Sequence, residues 1–477
     1  MKEIKKTKIV ATLGPASSDR ETIKNMMVAG VNIFRINFSH ADIEAAKQRI
    51  ELIRDLNKEL GFNVGVLADL QGPKLRVGKM KDGVVVEKGD RIVFTTKKIE
   101  EGTADRVYMN YQSFPKDIKT GERILLDDGK LIFEASSTDG QSEVVALVVQ
   151  GGPLKSNKGV NLPNTEVSLP ALTEKDVKDA VFAIEQQVDW IALSFVRHKE
   201  DLLALKKLIK KHSSYDIPII SKIEKPQALD NIDEIIDHSN GLMVARGDLG
   251  VEVPAEGVPL IQKNLVLKAK AARIPVIIAT QMMESMIESL TPSRAEVNDV
   301  ANSVMDGADA VMLSGETSIG NYPVEVIQTM RKIVVHVESS PLVHKHNQAP
   351  QNKNDRFITK STCYHAALMA TEIEAKAICT LTNSGYTAYQ ISAWRPDSSI
   401  LVFTSNRRIL TQLNLLWGVK CHYYDRFVST DETVMDVNLI AKEKGYVKTG
   451  DTLVNLLAMP VAKKGMVNTL RVSVIKD

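Results

Sequence analysis

Three cysteines in 477 residues, Cys363, Cys379 and Cys421, are too few and too scattered for a disulfide framework or a cysteine metal site. A sparse, odd set of this kind fits a reducing compartment. No charge of one sign dominates. Against 61 basic residues stand 59 acidic ones, a net charge of +2, which argues against a nucleic-acid partner or a membrane surface. A local basic pocket for phosphates stays open. No run approaches the ~18 consecutive apolar residues of a membrane span. The basic start leads only into Ile9-Val10-Ala11 before Gly14-Pro15, so no signal-peptide core is present and a cytoplasmic location is expected. Internal repeats and low-complexity tracts are also missing. What remains is an ordinary globular composition, 44% hydrophobic and 25% charged, long enough for about three domains.

Short apolar runs with polar ends alternate with helical patterns. Strands are expected at Ile9–Leu13, Asn32–Phe38, Val64–Leu70, Trp190–Val196, Ile217–Ile223, Gly241–Ala245, Pro275–Ala279 and Ala310–Leu313. Helix starts lie at Ser17-Ser18-Asp19, at Thr173–Asp176 and at Thr291-Pro292, where Pro292 is expected at the first helical position. Eight strands alternating with helices predict a (β/α)₈ TIM barrel over residues 1–70 and 172–340. Residues 71–171 break the rhythm. Strands at Val84–Val86, Arg91–Phe94, Arg123–Leu126 and Val144–Val149, with turns at Asp82-Gly83 and Asp128-Gly129, predict an inserted all-β lid domain. A polar, proline-broken linker, Pro341–Arg356, leads to an open α/β domain over 356–477. Its helix is expected near Thr362–Glu374 and its strands at Lys376–Leu381, Ile400–Phe403, Gly418–Tyr423, Thr452–Leu457 and Thr469–Val474.

The chemistry is expected where barrel strands end, because that face carries the active site. Ile219–Glu224 ends in Lys222 and Glu224, and Met243–Asp248 ends in Asp248. Lys222 and Glu224 are two positions apart on one strand and share a face, so they can pair. An ammonium and two carboxylates at one sheet edge can hold a hard divalent cation and stabilise a transferring anion. Mg²⁺ favours one or two carboxylates plus substrate oxygens and water. Other strand ends offer Arg35, Asn37, Ser39 and His40, then Asp69, Gly247, Thr280, Gln281, Ser314 and Glu316.

Asn32–His40, Ile220–Glu224, Met243–Gly250, Ala279–Met286 and Met312–Thr317 closely resemble the pyruvate kinase family, and the resemblance runs nearly end to end. It implies transfer of a phosphoryl group from phosphoenolpyruvate to ADP, giving pyruvate and ATP in the final step of glycolysis. It implies Glu224 and Asp248 as Mg²⁺ ligands, with Mn²⁺ as a possible substitute. Lys222 and Arg35 would face the phosphoryl group, and the amides of Gly247 and Asp248 would hold the substrate carboxylate. Thr280 would stand beside the enolate carbon and relay a proton through water, with Ser314 and Glu316 as candidates for that relay. Asn37, His40, Arg76 and Lys158 would bind the nucleotide.

Where K⁺-requiring members carry a glutamate, Lys74 stands in Asp69–Val77, and Leu70, Gln71 and Val77 also depart from their pattern. That resembles the K⁺-independent branch, with Lys74 as the cation's surrogate near Asp69, Asn37 and Ser39. The family further implies a phosphorylated effector at Thr382, Asn383, Ser384, Gly385 and Thr387, and a homotetramer with Arg294 at a subunit contact. Met459–Lys464 carries no ligand signature, so the effector's identity stays open. Two rival readings are a Mg²⁺-dependent barrel lyase acting on 2-oxo acids and a non-catalytic effector-binding barrel. The first needs no lid, and intact Lys222, Glu224, Asp248 and Thr280 count against the second.

Overall fold

The computed structural model describes residues 5–340, 343, 349–351, 355–426, 428–459 and 466–476. Most of the expected linker therefore lies outside the described residues. Eight parallel strands close into a barrel: Lys8–Thr12, Ile33–Asn37, Gly65–Asp69, Trp190–Leu193, Ile219–Ile223, Gly241–Ala245, Val276–Ala279 and Ala310–Leu313. They read as unbroken apolar runs because each is covered on both sides. Val10, Ile33, Leu67, Trp190, Ile220 and Met243 fill the interior. Ile9, Phe34, Val66, Ile191 and Leu242 meet the surrounding helices. All eight strands fall where the sequence expects them, within a few residues. The fourth stops early because Phe195 turns to φ +55°, a left-handed conformation that strains a bulky residue.

One helix start differs from expectation. Ser293, not Pro292, adjoins the helix Arg294–Asp306. Its hydroxyl accepts from Glu296 N while Glu296 reaches back to Ser293 N, so Pro292 lies one position outside the cap. In the insert, a six-stranded sheet carries a strand, Leu131–Thr138, that its polar Ser136-Ser137-Thr138 end conceals in the sequence. Gly72 marks the exit from the barrel. It sits at φ +71°, and a Cβ there would lie 2.7 Å from the Phe195 ring, so only glycine fits.

The C-terminal sheet is ordered Val419–Tyr423, Ser399–Thr404, Ala377–Leu381, Thr452–Leu457, Thr469–Val474, with the last strand antiparallel. Its domain plugs the lower face of the barrel. Leu415 joins the barrel interior, and Trp190 Nε1 donates to Gln412 O at 3.1 Å. Only the upper face is left for substrate. Among the described residues no helix is long and apolar enough to cross a membrane. The three cysteines are buried and free.

This junction contains a titrating group. Part-buried Asp189 accepts from Val66 N at 2.7 Å and from the Thr411 hydroxyl, with Arg54 and Arg408 nearby. Burial outweighs these partners and raises its carboxyl to about 6. The folded protein therefore binds a proton that the unfolded chain, titrating near 3.8, releases. That contribution to stability is complete at acid pH and is lost as pH rises through about 6. Asp189→Asn should flatten this dependence. Its unfolding free energy relative to the parent should be higher at about pH 7 than at about pH 4.5, by on the order of 2 kcal/mol, visible as a larger Tm difference. A difference that does not change with pH would remove Asp189 from this role.

Candidate active site

Three strand ends place one ion cluster at the barrel mouth. Asp69 ends the third strand and is almost wholly buried. Arg35, on the second strand, donates from Nε to Asp69 Oδ2 at 2.6 Å, and its Nη1 donates to Thr12 Oγ1 at 3.0 Å. Lys222, on the fifth, lies 3.2 Å from Asp69 Oδ1 and 3.1 Å from Glu224 Oε1, and donates to Ser194 Oγ at 2.7 Å. The Lys222–Glu224 pair expected from their shared face is therefore present. Burial opposes the charge on Lys222, yet Asp69 and Glu224 outweigh it and hold the ammonium above its usual range. Asp69 is likewise buried, but Lys222 and Arg35 keep it ionised.

Glu224 is the opposite case. Burial first, and Asp248 second, raise its carboxyl despite Lys222, while Phe195 N donates to its Oε2 at 2.7 Å. Two carboxylates whose charges repel at the edge of a cleft form a donor set that a divalent cation relieves. Among the described residues no group of three or more His, Cys, Asp or Glu is gathered to hold a metal. A two-carboxylate site completed by substrate and water fits that. Asp248 lines the cleft between barrel and insert together with Lys74, Asp128, Asn161, Arg197 and Lys225.

Across the mouth, Thr280 and Gln281 sit at φ +69° and +56°, a rare conformation for a β-branched threonine. The Thr280 hydroxyl donates to Ala279 O at 2.6 Å and accepts from Gly247 N at 2.7 Å. The Gly247 amide expected to face a substrate carboxylate is thus engaged by Thr280. Arg246, absent from the sequence reading, braces this turn. Its Nη2 donates to Thr280 O at 2.6 Å and its Nη1 meets Asp299 Oδ1 at 2.6 Å. Glu316 is buried and its carboxyl raised by burial. It accepts from Ser314 N at 2.6 Å and Met283 N at 3.1 Å, so Glu316 of the expected relay pair is tied to backbone.

Two of the expected nucleotide residues, Arg76 and Lys158, lie side by side where the insert joins the barrel. Arg76 pairs in β-bridge geometry with Gly159, beside Lys158, which is held by Asp127 at 2.8 Å. Burial lowers the pKa of His40, followed by the fields of Lys74, Arg76 and Arg35, so these cations share one region. Asn37 Oδ1 accepts from Ser39 N at 3.1 Å. Lys74 is exposed, and among the described residues no ion pair ties it to Asp69. Arg35 and Lys222 already balance Asp69.

In the C-terminal domain, Gly385 at φ +82° precedes the helix Tyr386–Ala393, and Thr382 Oγ1 accepts from its amide at 2.9 Å. Asn383 and Ser384 are exposed. Thr387 is not, because it turns inward and bonds Thr380 at 2.9 Å. Met459 is described, but the rest of the Met459–Lys464 segment lies outside the described residues. Arg294 is exposed at the first position of its helix.

Ser194 and Thr12 escaped the sequence reading because an uncharged hydroxyl at a strand end looks like any surface residue. Arg246 could have been suspected, since it adjoins a strand end.

The family model described as the pyruvate kinase barrel domain matches residues 4–327, and that described as the pyruvate kinase alpha/beta domain matches 360–473. A pyruvate kinase of Geobacillus stearothermophilus is 42% identical over 99% of this chain and 81% of its own length. One from Corynebacterium glutamicum is 40% identical over 99% and 98%. The crystal structure of a pyruvate kinase from Cryptosporidium parvum superimposes with a TM-score of 0.91 at 31% identity, covering 98% of this chain and 96% of that one. A buried ammonium among carboxylates at the mouth of a barrel with an inserted sheet domain, matched end to end in this way, identifies the chain as a member of the pyruvate kinase family, the phosphotransferases that move the phosphoryl group of phosphoenolpyruvate to ADP.

Proposed function

We propose that Lys222 is the electrostatic centre of that transfer. The observation that carries this is its buried ammonium, held by Asp69, Glu224 and Ser194 beside Arg35. A compact, fixed positive charge acts where negative charge develops, on the phosphoryl group and the enolate oxygen, and needs no reorganisation during the reaction. Arg35 supplies a guanidinium to the same phosphoryl oxygens. The family implies a divalent metal such as Mg²⁺, which Glu224 and Asp248 would hold. When bound, it supplies Lewis-acid charge neutralisation and a template for the substrate oxygens.

Thr280 is the residue beside the enolate carbon. A substrate carboxylate reaching the Gly247 and Asp248 amides would take over the Gly247 N–H and release the Thr280 hydroxyl to relay a proton through water. Arg246 keeps that hydroxyl in register by holding the Thr280 carbonyl. Glu316, tied to backbone, fixes the loop from which Ser314 projects. His40, Asn37, Arg76 and Lys158 form the nucleotide subsite, a reading supported by the field of Arg76 at His40 and by the place of Lys158 beside the Arg76–Gly159 bridge.

K⁺ independence is part of the proposal. Lys74 lines the cleft and its field reaches His40, so it can offset phosphate charge there even without touching Asp69. Unit charges ~4 Å apart interact by about 4 kcal/mol at an effective dielectric of ~20, enough to make a bound monovalent cation dispensable. Activity in Mg²⁺ buffer should be nearly equal with K⁺ or tetramethylammonium as the salt, and Lys74→Glu should create a demand for K⁺. Strong K⁺ activation of the unmodified enzyme at saturating substrate would contradict this.

Regulation by a phosphorylated metabolite at Thr382–Gly385 is proposed on the exposed Asn383 and Ser384 at the helix start, without Thr387. Assembly as a homotetramer through the Arg294 helix is proposed on that residue's exposure. A cytoplasmic location is proposed on the three buried free thiols.

A further inference from the structure

The helix that carries Asp248, Arg246–Glu252, ends in a second carboxylate. Glu252 lies about one helical turn beyond Asp248, and its side chain is wholly buried. Its Oε1 accepts from two groups that the fold brings together from distant parts of the chain. One is the ammonium of Lys225, the residue that follows Glu224. The other is Asn161 Nδ2, at 2.8 Å, from the strand Val160–Asn161 of the insert. Its Oε2 is buried with no partner. The insert meets this helix at a second place as well. The Asp128-Gly129 turn comes against it, and a Cβ at Gly129 would lie 3.8 Å from Val251 Cγ1.

One carboxylate thus joins three pieces: the segment after Glu224, the helix of Asp248 and the insert. The two barrel pieces carry the carboxylates that would hold the metal. A buried carboxylate with one oxygen unpaired is a costly way to make a static contact. It suits a contact that opens. When Asn161 withdraws, water can replace it at Oε1 and reach Oε2, so the bond breaks and re-forms at small cost. We propose that Glu252 is a positioning residue that docks the insert on the metal-bearing helix through Asn161, and so holds Arg76 and Lys158 over the barrel mouth for ADP. Lys225 keeps the carboxylate in place while the dock is open. This role rests on the reading of Arg76 and Lys158 as nucleotide residues, and adds the contact that decides how often they are in position. A site that is competent for only part of the time binds its ligand more weakly in proportion.

Asn161→Asp keeps the shape of the side chain but removes the donor and sets a second carboxylate against Glu252. It should raise KM for ADP about tenfold, the scale of one hydrogen bond to a charged group, and leave KM for phosphoenolpyruvate within about twofold. Adding Glu252→Gln should recover most of that loss, because the new amide can donate to the new carboxylate, which also takes over Lys225. Losses that merely add in the double variant would overturn the docking contact. Arg76→Gln is the control for the nucleotide reading, and a parental KM for ADP there would overturn that reading instead. Docking also has a readout that does not depend on ADP. Spin labels on cysteines introduced at exposed Gln141 of the insert and exposed Lys207 of the barrel should report a longer, broader distance in Asn161→Asp than in the parent, and the parental distance again in the double variant. An unchanged distance in Asn161→Asp would overturn the proposal whatever the kinetics show.

Discussion

Lys222→Met should lower kcat about 1,000-fold or more while phosphoenolpyruvate still binds. A thousandfold corresponds to about 4 kcal/mol of transition-state stabilisation, the scale on which a preorganised charge acts in a site closed to water. The loss belongs in kcat because the ammonium meets charge that builds up only during transfer. Substrate retains Arg35 and the metal carboxylates in the ground state. Removing one member of a buried ion cluster can cost 3–5 kcal/mol of stability, so folding needs its own check. Two features limit that cost here. Arg35 still neutralises Asp69 at 2.6 Å, and Glu224, already raised by burial, can take up a proton. The variant should therefore remain folded, with a modestly lower Tm. Lys222→Arg keeps the charge but replaces a compact ammonium by a wide fork, and should recover only part of the rate. A Lys222→Met enzyme with near-normal kcat and a raised KM would show that the residue only binds.

Glu224→Gln and Asp248→Asn should each weaken Mg²⁺ binding at least tenfold, with activity falling in parallel. Each variant removes one of two anionic ligands from a hard-cation site and leaves a single carboxylate beside substrate oxygens and water. Calorimetric titration with Mg²⁺ reads this without turnover. The metal-free proteins should show a second effect. Glu224 carries its charge against both burial and Asp248, so Glu224→Gln should not lower the metal-free Tm, and the stabilisation that Mg²⁺ confers on the parent should shrink. Unchanged Mg²⁺ affinity in both variants would move the metal elsewhere.

The barrel was legible because its strands are buried on both faces, so each appears as an apolar run that ends abruptly in charge. Lys222 and Glu224 could be paired from the sequence because the two-residue period of a strand puts them on one side. What could not be read depends on backbone direction or on partners far along the chain. The left-handed turns at Phe195 and Thr280 leave no mark in the pattern of residue types, yet they aim Phe195 N at Glu224 and the Thr280 hydroxyl at Gly247. Lys74 was expected to supply positive charge near Asp69 because a lysine stands there where K⁺-requiring members carry glutamate. Arg35, from the neighbouring strand, occupies that place instead. Thr387 read as one of several hydroxyls at a helix start, but the helical period turns it inward to Thr380.

The central claim is that the carboxylate-held ammonium at the barrel mouth drives phosphoryl transfer from phosphoenolpyruvate to ADP. The measurement that tests it most directly is pyruvate formation, followed through a coupled NADH-consuming dehydrogenase, for the parent and Lys222→Met at saturating substrates, with ADP or Mg²⁺ omitted in turn. The account predicts rapid pyruvate formation by the parent only when both are present, and a rate about 1,000-fold lower in the variant at similar KM. Pyruvate released by the parent without ADP, or a variant turning over at the parental rate, would contradict it.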